Sequence, residues 1–135
     1  MNKPFTWPIR VYYEDTDAGG VVFYANYLKY LERARTEYLR SLGYEQDRLM
    51  TEAGIIFAVR SLQIEYIKSA RFNQLLTASA EVKHFKKASL EFSQQITHDD
   101  RLLVTADVRI ACLDVNTMKP KAIPDFLLEH IANEY

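Results

Sequence analysis

Residues Tyr24 to Leu42, YANYLKYLERARTEYLRSL, decide the fold class of this 135-residue chain. Apolar side chains recur along this stretch at intervals of three and four residues, which is typical of an amphipathic helix. Gly43 follows, where a helix commonly ends because glycine adopts left-handed backbone angles at little cost. The apolar positions are Tyr24, Tyr27, Leu28, Leu31, Ala34, Tyr38 and Leu42. We therefore expect a helix from about Tyr24 to Leu42.

Segments rich in β-branched and aromatic residues lie on both sides of this helix, and we expect them to be strands. Short links join the later strands, and short links require antiparallel neighbours. The expected strands are Ile9 to Tyr13, Ile55 to Ile67, Leu75 to Phe85, Ala88 to Thr97 and Leu102 to Asp114, with turns at Lys86–Lys87 and His98–Arg101 and short helices at Glu45–Glu52 and Phe126–Ala132. This order predicts an α+β fold in which an antiparallel sheet is covered by one long helix.

Composition and length favour a single globular domain, residues 1–135, without linkers or repeats. The net charge of −1 argues against a nucleic-acid partner. A single cysteine excludes an intrachain disulfide and favours a reducing compartment. Neither a signal peptide nor an apolar run long enough for a membrane span is present in the sequence. We expect a soluble, cytoplasmic protein.

The segment YEDTDAGGVVFYANY, Tyr13 to Tyr27, places Glu14, Asp15 and Asp17 just before two glycines and the start of the helix. Helix starts favour anions, so an acidic turn of no functional importance explains these acids as well as a functional site does. An EF-hand calcium loop beginning at Asp15 fails at its twelfth position, where Asn26 replaces the required glutamate. The segment remains the best candidate for chemistry.

Other catalytic patterns are missing from the sequence. It contains no G-x-S-x-G elbow and no glycine-rich phosphate loop. His84, His98 and His130 lack metal-ligand spacing and are expected at the surface. Cys112 alternates with Ile110 in a predicted strand, which favours a buried, inert thiol over a nucleophile.

The motif Y-x-D-T-D-x-x-G-V-V at Tyr13–Val22, followed by YANY at Tyr24–Tyr27, resembles the 4-hydroxybenzoyl-CoA thioesterase family of hotdog proteins. The similarity is greatest to the bacterial acyl-CoA thioesterase branch associated with the Tol-Pal envelope system. Further matching segments are Glu32–Glu37, Val59–Arg60, Glu65–Tyr66, Met118–Pro120 and Ile123–Pro124. The resemblance implies a five-stranded antiparallel sheet wrapped around one long central helix. It also implies dimers joined edge to edge, often paired into tetramers, with active sites at the subunit interface.

The resemblance also implies catalytic roles for three residues. The catalytic carboxylate falls on Asp17, which would act either as nucleophile or as general base. The oxyanion donor falls on the backbone N–H of Tyr24 at the helix start. Tyr13 matches a tyrosine that lines the site in relatives, although packing of a strand residue on the helix explains it equally well. Members of the Tol-Pal branch commonly carry histidine at the position of Tyr24, whereas the 4-hydroxybenzoyl-CoA enzymes carry tyrosine there.

Basic residues at the predicted turn after the third strand are candidates for binding the phosphates of coenzyme A. In the resembling family the contacts fall on Lys86 and Lys87, with Ser89 beside them, and Arg60 is a further candidate. An ordinary solvated hairpin would account for the same lysines.

Three functions are compatible with these residues. The first is hydrolysis of an acyl-CoA to an acid and free coenzyme A, with no metal and no separate cofactor, since coenzyme A belongs to the substrate. The second is a binding or scaffold protein for an acyl-CoA or an acyl-carrier protein, linked to envelope lipid metabolism, with little hydrolysis. The third, dehydration of a hydroxyacyl thioester, ranks last because no histidine lies near the motif. The acyl group is undefined by the sequence, and so is the choice between a homodimer and a homotetramer.

Overall fold

The computed structural model describes residues 3–134 and confirms a five-stranded antiparallel sheet accompanied by helices. In chain order the elements are β1 (Phe5–Arg10), α1 (Asn26–Ser41), the short helix α2 (Gln46–Arg48), β2 (Ile55–Tyr66), β3 (Leu75–Lys86), β4 (Ser89–His98), β5 (Arg101–Asp114) and α3 (Asp125–Glu134). The strand order across the sheet is β1-β3-β4-β5-β2. Strands β1 and β2 therefore form its two edges.

The first strand lies earlier in the chain than the sequence predicts. Tyr13 lies outside β1, in a short 3-10 helix spanning Tyr13–Asp15. The chain turns here because the Asp15 carboxylate accepts a hydrogen bond from the Tyr12 N–H at 2.8 Å. Pro8 lies within β1, opposite Thr77 of β3. An edge strand tolerates this proline because one of its sides forms no ladder of hydrogen bonds.

The turns between the last three strands lie close to their predicted places. Asp99 and Asp100 connect β4 to β5 with φ angles of 48° and 65°. Positive φ angles at both central residues are typical of tight hairpin turns. The preceding turn consists of Lys87 and Ala88, one residue later than expected. Lys86 remains in β3, where it pairs with Ser89.

The expectation of one long central helix is not matched. Helix α1 has 16 residues, and Tyr24 precedes it in a turn closed by a hydrogen bond of 2.8 Å from Asn26 N–H to the Phe23 carbonyl. It ends at Ser41, and Gly43, with a φ of 96°, follows the last turn and stops the helix as predicted. Helix α3 contributes two fully buried side chains to the core, Leu127 and Ile131. The helical contribution to the core is thus shared between α1 and α3.

Helix α1 packs on the sheet through a mostly apolar interface. The rings of Tyr38 and Phe92 meet edge to face at 5.7 Å, and Leu31 is buried in the same core. Full burial of such a side chain stabilises the fold by about 2 kcal/mol. Gln94 of β4 and Arg35 of α1 are buried polar exceptions, and the Gln94 amide donates to the Leu31 carbonyl at 3.1 Å and the Ser79 carbonyl at 2.9 Å.

The antiparallel register gives the sheet two distinct ends. The Tyr66 end holds the end of β2 at Tyr66, the end of β1 at Arg10 and the start of β3 at Leu75. The Lys86 end holds the end of β3 at Lys86 and the start of β2 at Ile55. The segment between β1 and α1 leaves the sheet at the Tyr66 end.

Candidate active site

A small hairpin between β1 and α1 carries Asp17. Thr16 and Val22 form an antiparallel bridge, and the Asp17 N–H donates to the Val21 carbonyl at 2.9 Å. The turn closes with the Gly20 N–H donating to the Asp17 carbonyl at 3.0 Å. Gly20 has a φ of 78°, a conformation that side-chain-bearing residues rarely adopt. Gly20 therefore allows the turn of the loop, and Gly19 donates a hydrogen bond to the Asp17 carboxylate.

The Asp17 carboxylate lies at the surface in a defined orientation. Its Oδ1 accepts a hydrogen bond of 2.9 Å from the Gly19 N–H. A Cβ at Gly19 would lie 3.3 Å from the same oxygen, so a larger residue would crowd it. The side chain is exposed, which leaves its other oxygen open to a substrate or a water molecule.

Asp15, two residues before Asp17, holds the loop in place. It is only 9% exposed, and its backbone carbonyl accepts hydrogen bonds from Phe23 N–H at 2.9 Å and Asn26 Nδ2 at 2.8 Å. These bonds fasten the acidic loop to the start of α1. Burial raises the pKa of Tyr30, and the neighbouring Asp15 carboxylate raises it further.

The backbone before α1 provides free hydrogen-bond donors. Within residues 3–134, the N–H groups of Tyr24 and Ala25 donate to no protein acceptor. Such unpaired donors at a helix start can stabilise negative charge on a substrate oxygen. The Tyr24 side chain is 63% exposed and forms no part of the core.

Aromatic side chains surround this region. The Tyr24 ring meets the rings of Phe23 at 4.9 Å and Tyr66 at 6.1 Å. Tyr13 is exposed, lies in the 3-10 helix and packs edge to face on Phe72 at 5.7 Å. The alternative interpretation of Tyr13, a strand residue packed on the helix, is therefore wrong. The loop therefore lies among exposed rings that can contact an apolar ligand.

Three of the four candidate residues for phosphate binding lie at the other end of the sheet from the Asp17 loop within one chain. Lys86, Lys87 and Ser89 are at the Lys86 end of the sheet, and Arg60 is an exposed residue at an irregularity in the middle of β2. Strand β3 has 12 residues, so at about 3.3 Å per residue its two ends are roughly 35 Å apart. A single chain does not bring the lysines and Asp17 together.

Comparison with known proteins places this geometry in a family. Residues 11–131 match the model of the thioesterase-like superfamily. The chain belongs to the thioesterase-like superfamily. It is 45% identical over 124 residues to the acyl-CoA thioesterase YbgC of Haemophilus influenzae, covering 92% of this chain and 91% of that protein. It is 46% identical over 121 residues to the acyl-CoA thioester hydrolase YbgC of Escherichia coli O157:H7, covering 89% of this chain and 90% of that protein.

Solved structures agree with this membership in the thioesterase-like superfamily. A probable thioesterase from Bartonella henselae superposes with a TM-score of 0.87 at 34% identity, over 90% of this chain and all of that one. A 4-hydroxybenzoyl-CoA thioesterase bound to 4-hydroxybenzoyl-CoA superposes with a TM-score of 0.85 at 21% identity, over 93% of this chain and 96% of that one, which shows the shared fold. The resemblance read from the Asp17 motif is thereby confirmed.

The one cysteine of this thioesterase-like protein lies outside the Asp17 loop. Cys112 is fully buried, and burial raises the pKa of its thiol to about 11, which disfavours a nucleophilic thiolate. In the part of the chain that the structure describes, no three His, Cys, Asp or Glu side chains are grouped as metal ligands. No helix in residues 3–134 is both long and apolar enough to cross a membrane.

Two neighbours of the candidate site, Tyr66 and Phe72, were not identified as site residues from the sequence. Tyr66 belongs to a segment that supports the family resemblance, so a signal was present. No sequence signal identified Phe72, because only the fold brings the loop after β2 against Tyr13.

Proposed function

We propose that this protein is an acyl-CoA thioesterase, which hydrolyses a thioester to a carboxylic acid and free coenzyme A. The observation that carries the proposal is the 45% identity to an acyl-CoA thioesterase over 92% of the chain. The geometry of the Asp17 loop supports it independently, because a fixed, exposed carboxylate lies on the same short segment as the free N–H groups before α1.

Asp17 carries the chemistry in this proposal. As a general base, its carboxylate takes a proton from water while the hydroxyl adds to the thioester carbonyl carbon. As a nucleophile, its free oxygen attacks that carbon, and water then hydrolyses the mixed anhydride. In both routes the carbon–sulfur bond breaks, and the thiolate leaves and gains a proton. The hydrogen bond from Gly19 N–H holds the carboxylate in one orientation for either route.

Tyr24 contributes through its backbone. The carbonyl oxygen becomes negative as the nucleophile adds, and the free N–H of Tyr24 is a donor that needs no rearrangement to meet it. A donor of this kind contributes about 3 kcal/mol to lowering the barrier. Because the role is that of the main chain, tyrosine or histidine can occupy the position. Tyr13, packed on Phe72, is proposed to line the same site.

A second copy of the chain completes the site in this proposal, through pairing of β2 edges. Strand β2 has 12 residues, no proline and exposed apolar side chains at Val59, Leu62 and Tyr66. The opposite edge strand, β1, is half as long and carries Pro8, which discourages pairing. An uncovered edge like β2 is favourable for association with an identical strand.

Antiparallel pairing of two β2 edges reverses the partner sheet. The Lys86 end of the partner then lies beside the Tyr66 end of the first chain, because a twofold axis exchanges the ends of the paired strands. We therefore propose that Lys86 and Lys87 bind the coenzyme A phosphates for the partner's Asp17, with Ser89 and Arg60 as further contacts. Each active site thus lies at the subunit interface of a homodimer, which can associate further into a tetramer.

Four further expectations belong to this proposal. Residues 1–135 act as one domain, which the single core cluster extending from Ile9 to Ile131 supports. The enzyme works in the cytoplasm, where the free thiol of Cys112 stays reduced. Coenzyme A enters with the substrate, and no other cofactor takes part. Acyl-carrier protein is a second possible carrier of the thioester.

The test is thiol release from acetyl-, octanoyl-, palmitoyl- and benzoyl-CoA by wild type, Asp17→Asn and the control Glu14→Gln, which removes a neighbouring exposed charge. The buried thiol of Cys112 keeps the protein itself from reacting quickly with the thiol reagent. We expect Asp17→Asn to lose at least about a hundredfold in kcat, in line with the removal of a general base, and the control to retain its rate. Tight acyl-CoA binding without turnover would instead favour the scaffold function.

A further inference from the structure

The first two residues of α1, Asn26 and Tyr27, connect the helix to the two strands of the hairpin that carries Asp17, residues 16–22. We call this segment the Asp17 hairpin. Asn26 is half-buried, and its Nδ2 donates a hydrogen bond of 2.8 Å to the Asp15 carbonyl, just before the first strand of the hairpin. Tyr27 is buried and holds the second strand through the segment that follows β2.

The Tyr27 hydroxyl reaches the second strand through two hydrogen bonds in series. It accepts the backbone N–H of Ala70 at 2.9 Å, and the Ala70 carbonyl accepts the N–H of Val22 at 2.8 Å. All three residues are buried, so these bonds form in a low-dielectric interior, where they are stronger than at the surface. The neighbouring carbonyl of Val21 accepts the Asp17 N–H at 2.9 Å. The position of the Tyr27 hydroxyl therefore sets the position of the strand that pairs with Asp17.

The Tyr27 side chain is itself held in place. Its ring meets the ring of Tyr30, on the next turn of α1, at 6.0 Å and the ring of Tyr66, at the end of β2, at 5.6 Å. Burial raises the pKa of Tyr27, so the group remains a neutral hydroxyl. A side chain that is only 3% exposed acts through its neighbours rather than on a substrate. Tyr27 is thus suited to a positioning role.

We propose that Tyr27 and Asn26 are positioning residues that set the distance between the Asp17 carboxylate and the free N–H of Tyr24. These two groups have to act on one thioester, the carboxylate at the carbonyl carbon and the N–H at the carbonyl oxygen. The turn between them contains two glycines, so the chain alone does not fix their spacing. The two contacts fix it, because both run from the first turn of α1, directly after Tyr24, to the Asp17 hairpin. The inference rests on the proposed thioesterase function and adds residues that the reaction requires.

The test compares Tyr27→Phe with Tyr38→Phe in thiol release from an acyl-CoA that the wild type hydrolyses. Both variants remove one hydroxyl from a buried tyrosine of α1, but Tyr38 lies about 16 Å further along the helix axis. Its ring packs on Phe5 and Phe92, away from the Asp17 hairpin. We expect Tyr27→Phe to lower kcat at least about tenfold, with KM within about twofold of the wild-type value, because small misplacements of reacting groups are costly. Tyr38→Phe should keep its kcat.

A double-mutant cycle separates positioning from a general loss of stability. If Tyr27 acts through the Asp17 carboxylate, Tyr27→Phe has little further effect once Asp17→Asn has removed that carboxylate. A merely structural role would lower the residual rate of Asp17→Asn by the same factor as the rate of the wild type, and this result overturns the inference. Rates are measured well below the Tm of each variant, and circular dichroism verifies the fold. A folded Tyr27→Phe with wild-type kcat also overturns the inference.

Asn26→Ala is a second test, at a position that is only half-buried. It removes the bond to the Asp15 carbonyl and places a good helix former at the start of α1, and Lys29→Ala at an exposed position of the same helix is its control. We expect the same pattern, a kcat at least about tenfold lower, an unchanged KM and little further effect in Asp17→Asn. If Tyr27→Phe fails to fold, Asn26→Ala decides, and wild-type kcat overturns the inference. Absence of thioester hydrolysis by the wild type would overturn the proposed function, and the inference with it.

Discussion

Asp15 and Asp17 lie two residues apart and have opposite environments. The Asp15 carboxylate is nearly buried and accepts the Tyr12 N–H, whereas the Asp17 carboxylate is exposed and accepts the Gly19 N–H. Removing a buried acceptor leaves its donor without a partner, whereas water takes the place of an exposed acceptor. Substitution of Asp15 should therefore affect mainly stability, and substitution of Asp17 mainly activity.

We predict that Asp15→Ala lowers the free energy of unfolding by about 1–3 kcal/mol. The Tyr12 N–H loses its acceptor, and the loop before α1 loosens. Asp17→Ala should change stability by less than about 1 kcal/mol while removing hydrolysis. Urea denaturation followed by circular dichroism measures both. Equal stability losses in the two variants would contradict the structural role of Asp15.

Gln94 gives a second prediction at the residue scale. Gln94→Leu keeps a similar volume but leaves the buried Arg35 without its acceptor and removes the donor to the Leu31 and Ser79 carbonyls. We expect a loss of about 3 kcal/mol, because a buried charged donor and two buried carbonyls lose their partner. The matched control is Gln95→Leu, since the neighbouring Gln95 is exposed. A loss of stability as small as the control's would show that the Arg35 site tolerates an unpaired guanidinium.

At the scale of elements, the ends of α1 are set by different causes. Its start follows a turn at Phe23–Asn26, and its end requires Gly43 at a φ of 96°. Nothing lies within 4 Å of a Cβ added at Gly43, so a substitution there is opposed by backbone conformation alone.

We predict that Gly43→Ala destabilises the protein by about 1–2 kcal/mol, the cost of left-handed backbone for a residue with a Cβ. Lys29→Ala, at an exposed position within α1, is the control and should be nearly neutral or slightly stabilising. Thermal unfolding of both variants compares them directly. A neutral Gly43→Ala would mean that the helix end relaxes into another conformation.

At the scale of the whole molecule, the proposed site depends on two chains. Asp17 and the Lys86–Lys87 hairpin lie at opposite ends of the sheet. In the proposed dimer, each active site therefore takes Asp17 from one chain and the lysines from the other. The uncovered β2 edge is the surface through which that partner would pair.

We predict that two weakly active variants restore each other when they share a dimer. Asp17→Asn removes the carboxylate, and the double variant Lys86→Glu with Lys87→Glu weakens coenzyme A binding through charge repulsion. A hybrid dimer has one site with both defects and one intact site. Random mixing after reversible unfolding should therefore recover about a quarter of wild-type activity. No recovery from mixed dimers would place all site residues within one chain, or the lysines outside the site.

The sequence by itself determined the order of helix and strands, the antiparallel pairing, the helix end at Gly43 and the family, because periodicity, turn residues and a dense motif are local signals. It misplaced β1, since only the folded loop shows the Asp15 carboxylate drawing the chain into a turn after Tyr12. The buried contact between Arg35 and Gln94 and the separation of Asp17 from Lys86 came from the tertiary structure alone. Both depend on strand register and on side chains 59 residues apart in the chain, such as Arg35 and Gln94, which no local pattern brings together.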